Sequence, residues 1–223
     1  MQKRMPFSEV PSPGEQSVEE ICQALCDENT KYADVIDLAA EPILVNQFDT
    51  PIGPMLVAAS DSELILLEFA DRRTLESQTQ IVRRLFLAPF AKGKNEIIQQ
   101  TEAELSEYFA SKRFKFEVPF AIHGTDFEKS VWQQLLEIPV GKTKSYEQVA
   151  TTLGKPRASR AVGRANGDNR LAIIIPCHRV IRTDGTLSGY AGGLFRKRWL
   201  LNHEKPACPL GFINEVSLKE KSV

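Results

Sequence analysis

The chain has 223 residues, 42% of them hydrophobic and 26% charged, with a net charge of −1. These fractions suit a soluble globular protein, and the length allows one large core or two small ones. They exclude a chain coated in basic charge, and no run of about 18 apolar residues could span a membrane. A local basic face for nucleic acid remains open.

The first stretch, Met1 to Gly14, is polar and proline-containing and lacks the apolar core of a secretory signal. The expected compartment is therefore the cell interior: the cytoplasm, or the nucleus in a eukaryote. Residues 1–40 read as a poorly ordered extension. A short amphipathic helix with Val18, Ile21, Cys22 and Leu25 on one face is the other reading; the loosely attached tail is preferred. Four cysteines are present, Cys22, Cys26, Cys177 and Cys208, and a reducing compartment disfavours a disulfide framework. Cys22, Cys26 and His123 are a partial zinc set, but about four ligands are needed and no fourth suggests itself. No metal and no cofactor are expected.

Residues 41–120 read as a small α/β domain. Strands are predicted at Ile43–Phe48, Pro54–Ser60 and Glu63–Phe69, with a Pro-Ile-Gly turn between the first two. Helices follow over 75–86 and 94–110, the second with Ile98, Thr101, Leu105 and Phe109 on one face. Phe114, Phe116 and Val118 alternate with charged residues and suggest a half-buried strand. Nothing in this block carries chemistry.

Residues 121–207 read differently, and 208–223 form a tail. Thr125 and Glu128 make a capping box before an apolar stripe of Phe127, Val131, Leu135 and Ile138. Ser145 and Gln148 make a second box, opening a short helix that Gly154 ends. A third helix over 157–166 is expected to bury Ala158, Ala161, Val162 and Ala165 and to present Arg157, Arg160 and Arg164 on another face, with the small Ser159 and Gly163 beside them. Helices joined so closely suggest a helix-turn-helix, and a slim helix edged with arginine can enter a DNA groove. An amphipathic helix with a solvated basic face gives the same pattern.

The apolar run Leu171–Ile175 must be buried, and it leads into Pro176-Cys177-His178-Arg179. A cysteine beside a histidine is a candidate activated nucleophile, since the thiolate is the reactive form. An inert packing cysteine is the alternative, but two polar neighbours would be awkward beside a merely structural thiol.

The segment Pro176-Cys-His-Arg-Val180 resembles the active-site signature of the O6-alkylguanine-DNA alkyltransferases (methylated-DNA–protein-cysteine methyltransferases). The resemblance extends through Ser145-Tyr146, Arg160-Ala-Val-Gly163, Asn169, Ser188-Gly-Tyr190, Gly192-Gly-Leu194 and Leu200-Leu-Asn-His-Glu204. It is close over 125–205 and limited to layout over 43–120. It implies a ribonuclease H-like first domain, a small antiparallel sheet with helices, and a mainly α second domain with a winged helix-turn-helix. It implies irreversible, single-turnover repair of O6-alkylguanine, with O4-alkylthymine, by a monomer acting on double-stranded DNA.

The resemblance also implies roles. Cys177 is the alkyl acceptor, His178 takes the thiol proton through a water, and Glu204 orients His178. Asn169 shapes the active-site turn, and Tyr146 stabilises or protonates the departing guanine. Arg160 fills the gap left by the flipped nucleotide, with Ser159, Ala161, Arg157 and Arg164 around it on DNA. Tyr190 lines the alkyl pocket, and the Val180 and Cys177 carbonyls read the guanine amino group. The sequence departs from the family at Ala191, a pocket-lip position often held by serine, and the family's zinc ligands find no match. Three competing readings are a non-catalytic alkylguanine-binding relative, a helix-turn-helix regulator and a cysteine hydrolase. Cys177 disfavours the first, and the second leaves Glu204 without a task. The third would need an oxyanion site and leaves the arginine helix idle.

Overall fold

A computed structural model describes residues 18–72 and 74–205, which divide into two compact units. Cys208, the expected 208–223 tail and the proline-containing start at 1–17 lie outside the described residues. The first unit runs to Ala110 and includes Glu117–Phe120; the second holds Ser111–Phe116 and continues from Ala121.

The first unit is built on a four-stranded sheet of order β3-β2-β1-β4. β1 (Ile43–Phe48) and β2 (Met55–Ala59) pair antiparallel, and so do β2 and β3 (Leu64–Phe69). β2 and β3 are buried at every position. Strands with such continuous apolar sequences need cover on both faces. α1 (Val18–Asp27), α2 (Leu75–Phe86) and α3 (Glu96–Phe109) supply it. The expected turn forms at Thr50–Gly53, where Gly53 takes φ 114, a value that favours glycine.

Three expectations change here. The sheet is mixed rather than antiparallel, because β4 (Phe90–Lys92) returns beside β1 and runs parallel to it. Three residues are too few to show a period in the sequence. No strand forms at Phe114, Phe116 and Val118. The buried Glu104 carboxylate accepts from the Glu117 and Val118 N–H groups at 2.8 and 3.3 Å, so a side chain takes the place of a ladder.

Residues 18–36 are also not a loose extension. Cys22 and Leu25 on α1 are buried in the same cluster as Val45, Leu56 and Phe90. The Arg83 guanidinium fastens the segment: it donates to the Leu25 carbonyl and to Asn29 Oδ1, and it lies over the rings of Tyr32 and Phe90. A partner in another helix could not be read from local periodicity.

The second unit opens with α4 (Asp126–Leu136), and both expected capping boxes are present, Thr125/Glu128 on α4 and Ser145/Gln148 on α5 (Tyr146–Thr152). α5 ends in a Schellman motif: Gly154 at φ 70 donates to the Thr151 carbonyl, and Lys155 donates back to Ala150. Pro156 then prevents continuation. α6 (Ser159–Gly167) starts two residues later than expected, so Arg157 lies in the turn before it. Ala161 is exposed, not buried, and shares the open side of α6 with Arg160 and Arg164. Trp132 ties α4 to α6 through its indole N–H, which donates to the Ala165 carbonyl at 2.7 Å. Gly124 is required there, since a Cβ would come within 2.7 Å of the buried Trp132 ring.

The wing is small. β5 (Lys144–Ser145) pairs in parallel with β6 (Val180–Ile181), and a turn closed by Arg182 N–H to the Thr186 carbonyl follows. α7 (Leu194–His203) completes the unit and packs on the turn that holds Cys177. No helix among the described residues is long and apolar enough to cross a membrane.

The burial of α1 sets a test. Leu25→Ala should destabilise the protein by about 2–3 kcal/mol, the cost of an emptied core site. Chemical denaturation reads this, and an unchanged midpoint would return residues 18–36 to the status of a loose tail.

Candidate active site and nucleic-acid interface

Every residue from Leu171 to Val180 is buried. The apolar run is not a strand but a chain of tight turns. Ile174 N–H donates to Ala172 across Ile173, whose φ is 73, a strained value for a β-branched residue. Cys177 N–H donates to Ile175 across Pro176, at φ −81 and ψ 61, an inverse γ-turn that proline's ring favours. Strain of this kind persists only where surroundings over-determine it.

Asn169 does so here. Its carboxamide oxygen accepts from Leu171 N–H at 3.0 Å, and its Nδ2 donates to the Ile175 carbonyl at 2.9 Å and to Cys177 Sγ at 3.1 Å. One buried side chain thus holds both ends of the turn and the sulfur. Cys177 opens a 3-10 turn, Cys177–Arg179, and is 6% exposed.

His178 on that turn is fully buried, and its Nε2 lies 2.8 Å from Glu204 Oε1. Glu204 follows α7 and is 2% exposed. Arg179 grips the same carboxylate from Nε at 2.7 Å and from Nη2 at 2.9 Å, while its Nη1 donates to the Ile138 carbonyl after α4. Burial alone would raise the Glu204 pKa. The hydrogen bonds from His178 and Arg179 overrule it and bring the value to about 2. An ionised carboxylate only accepts, so His178 Nε2 carries the hydrogen. Burial drives the His178 pKa below its ordinary range, leaving a neutral ring. Its Nδ1 is buried and has no hydrogen-bond partner among the described residues.

Tyr146, at the start of α5, donates its hydroxyl to the Ser188 carbonyl at 3.1 Å. Burial raises its pKa, so the hydroxyl keeps its proton. Tyr190 is partly buried, Val180 is buried and Ala191 is exposed. Ser159 and Ala161 lie on α6 with Arg160 and Arg164, and the two arginines are exposed, as is Arg157 before the helix. Arg164 approaches Asp168 at 3.8 Å with its side chain 88% exposed, a pairing worth little.

The structure therefore pairs Cys177 with Asn169 and His178 with Glu204 by hydrogen bonds, brings the two pairs together through the adjacent residues Cys177 and His178, and sets the α6 residues on an open face. His203, the neighbour of Glu204, takes no part in this pairing and stacks on Trp199 at 4.7 Å. Sequence reasoning singled out Arg179 beside the cysteine without giving it a role, and it missed Lys197. Lys197 is fully buried on α7, and its Nζ donates to the Ser188 carbonyl at 2.9 Å. Its spacing from Leu200 and Glu204 was the available signal, since all three share a helical face. Among the described residues no group of three or more His, Cys, Asp or Glu could hold a metal ion.

Known proteins agree with this layout. Residues 43–122 match the ribonuclease-like domain of 6-O-methylguanine DNA methyltransferase, and residues 126–206 match its DNA-binding domain. The methylated-DNA–protein-cysteine methyltransferase of Methanosarcina barkeri is 42% identical over 157 residues, 70% of this chain and 94% of the relative. That of Mycobacterium bovis is 45% identical over 161 residues, 72% of this chain and 92% of the relative. The crystal structure of the Mycobacterium tuberculosis O6-methylguanine methyltransferase is 40% identical with a TM-score of 0.63, covering 74% of this chain and 96% of that one. The structure of Mycobacterium tuberculosis OGT in complex with DNA is 38% identical with a TM-score of 0.64, over the same shares.

A ribonuclease-like unit followed by a helix-turn-helix unit that carries a buried cysteine defines a class of DNA-binding transferases. The chain belongs to the methylated-DNA–protein-cysteine methyltransferase family. DNA is its partner, and transfer of alkyl groups from DNA to a protein cysteine is its reaction.

The state of Glu204 can be checked. Its folded pKa lies below the ordinary 4.5, so the stability it contributes is complete above about pH 4.5 and is lost as pH falls toward 2. The amount is up to roughly 3 kcal/mol. Wild-type protein should lose more stability between pH 6 and pH 3 than Glu204→Gln, measured by chemical denaturation at each pH. Parallel losses would show that the acid dependence comes from other groups.

Proposed function

We propose that Cys177 is the acceptor, and that the arrangement of Asn169, His178 and Glu204 around it performs the transfer. The observation that carries this reading is the His178 ring: fixed at Nε2 by an ionised carboxylate, neutral, and without a hydrogen-bond partner at Nδ1 among the described residues. Such a nitrogen can take the thiol proton through one water. Arg179 offsets the Glu204 charge, which keeps His178 a neutral base rather than a permanent imidazolium.

The thiolate then attacks the alkyl carbon, a sulfur–carbon bond forms, and the carbon–oxygen bond to guanine breaks. Tyr146, still protonated, donates to the departing base. Sulfur, proton and alkyl group all come from protein and substrate, so no cofactor is needed. A thioether is stable, and nothing beside it is arranged to cleave it, so each molecule acts once.

With Cys177 only 6% exposed, a base within a duplex cannot reach it. The target nucleotide must be flipped out. Arg160, exposed on slim α6, is suited to fill the gap. Arg157 and Arg164 suit phosphates, as do the first N–H groups of α6, which have no side-chain cap. Small Ser159 and Ala161 let the helix approach closely. Tyr190 lines the alkyl pocket. The Val180 carbonyl, with that of Cys177, is suited to accept from the guanine amino group; the latter already accepts from Val180 N–H but keeps a second lone pair. The work is done where DNA is, in the cytoplasm or nucleus. A regulator using the helix-turn-helix alone would leave the buried relay without a task.

Two experiments test these assignments. With excess methylated duplex, transfer should stop at one equivalent, and the label should sit on the peptide containing Cys177. Sustained turnover, or label on Cys22, Cys26 or Cys208, overturns the acceptor. Arg160→Ala should slow repair of duplex DNA by about tenfold or more, since flipping costs a few kcal/mol. It should leave reaction with free O6-benzylguanine nearly unchanged. Equal slowing of both substrates would remove Arg160 from flipping.

A further inference from the structure

Lys197 has no part in the steps above, yet it is a cation buried on the helix that packs on the Cys177 turn. It is fully buried, and among the described residues it has no carboxylate partner. Its ammonium donates to Ser188 O at 2.9 Å and reaches Gly189 O at 3.5 Å. Tyr146 donates to the same Ser188 carbonyl, and Lys197 Nζ lies 5.8 Å from the Tyr146 ring centroid. Two carbonyls compensate a buried ammonium only in part. A methionine would fill the same space at no electrostatic cost.

We propose that Lys197 is a positioning residue for alkyl transfer: its ammonium ties the Ser188–Gly189 backbone to Tyr146 and is the counter-charge against which the Cys177 thiolate forms. The proposal rests on Cys177 as acceptor. Lys197 and Glu204 lie on one face of the α7 segment, and α7 packs on the Cys177–Arg179 turn. The helix thus brings an acid to His178 and a buried cation to the Ser188 carbonyl that Tyr146 shares, within electrostatic range of Cys177. The titratable and charged groups that face Lys197 are Cys177 and His178 on that turn and Tyr146 on α5, with Arg179 and Glu204 paired beyond His178.

Lys197 keeps its proton throughout. The thiol proton goes to His178, the sulfur–carbon bond forms as the carbon–oxygen bond breaks, and guanine takes a proton from Tyr146. Solvent then accepts a proton from His178 and returns one to Tyr146. Burial pulls the Lys197 pKa down to about 8, against the upward pull of Cys177, so the counter-charge should fade above that pH.

The test reads the thiolate separately from transfer. The rate of iodoacetamide capture at the Cys177 peptide is followed by mass spectrometry from pH 5 to about 10, alongside single-turnover reaction with free O6-benzylguanine. Wild type should show a transfer rate that declines above about pH 8. Lys197→Met should move the onset of Cys177 capture up by about one pH unit, and slow transfer at neutral pH by about tenfold. Lys197→Arg, which stays charged, should keep the wild-type onset and lose the decline. An unchanged onset in a folded Lys197→Met, or a decline that persists in Lys197→Arg, overturns the proposal. If the methionine variant does not fold, the arginine variant decides. If methylated duplex labels a cysteine other than Cys177, the acceptor assignment fails, while the capture profile still reads Lys197.

Discussion

Glu204 is a carboxylate with almost no access to water, and the second unit is organised around keeping it charged. A lone ion there would cost several kcal/mol. Here three hydrogen bonds offset that cost: Arg179 supplies a two-point grip and His178 supplies a third bond. The grip reaches further, because Arg179 also holds the Ile138 carbonyl beyond α4. One acid thereby joins α7, the Cys177 turn and the end of α4. Removing it would disturb packing and chemistry together, since the same bonds serve both.

The other constraint is backbone geometry. Two γ-turns in succession, one of them at positive φ on Ile173, bring Cys177 to the end of a fully buried segment. Such a path is unfavourable on its own. Burial of Leu171–Ile175 and the bonds of Asn169 make it the stable one. The apolar side chains hold the segment in the core, and the carboxamide sets where its end emerges.

Much of this was legible in the sequence because the signals were local. Capping boxes are written within four residues, so Thr125/Glu128 and Ser145/Gln148 formed as expected. Cys177, His178, Asn169 and Glu204 were found through motifs, and the structure joins them. What escaped depended on distant partners. β4 is too short to have a period. The segment at 117–118 alternates like a strand, but Glu104 takes its N–H groups. α1 reads as marginal until Arg83 and the sheet are seen beneath it. Lys197 stands in the run Arg196-Lys197-Arg198, which looks like a solvated basic surface, although Arg196 and Lys197 are both buried. Only the phase of the helix, set by Leu200 and Glu204, separates an inward lysine from an outward one.

That phase makes α7 a ruler as well as a support. Lys197 and Glu204 stand seven residues apart, close to two turns and about 10 Å along the axis. Adding one residue between them would swing one end by about 100° relative to the other, and no side-chain rotation could restore both contacts. The turn at Arg182–Thr186, in contrast, faces solvent and closes on itself. Length change in this unit is therefore tolerable at the wing and intolerable between Lys197 and Glu204, where spacing itself is the information the sequence carries.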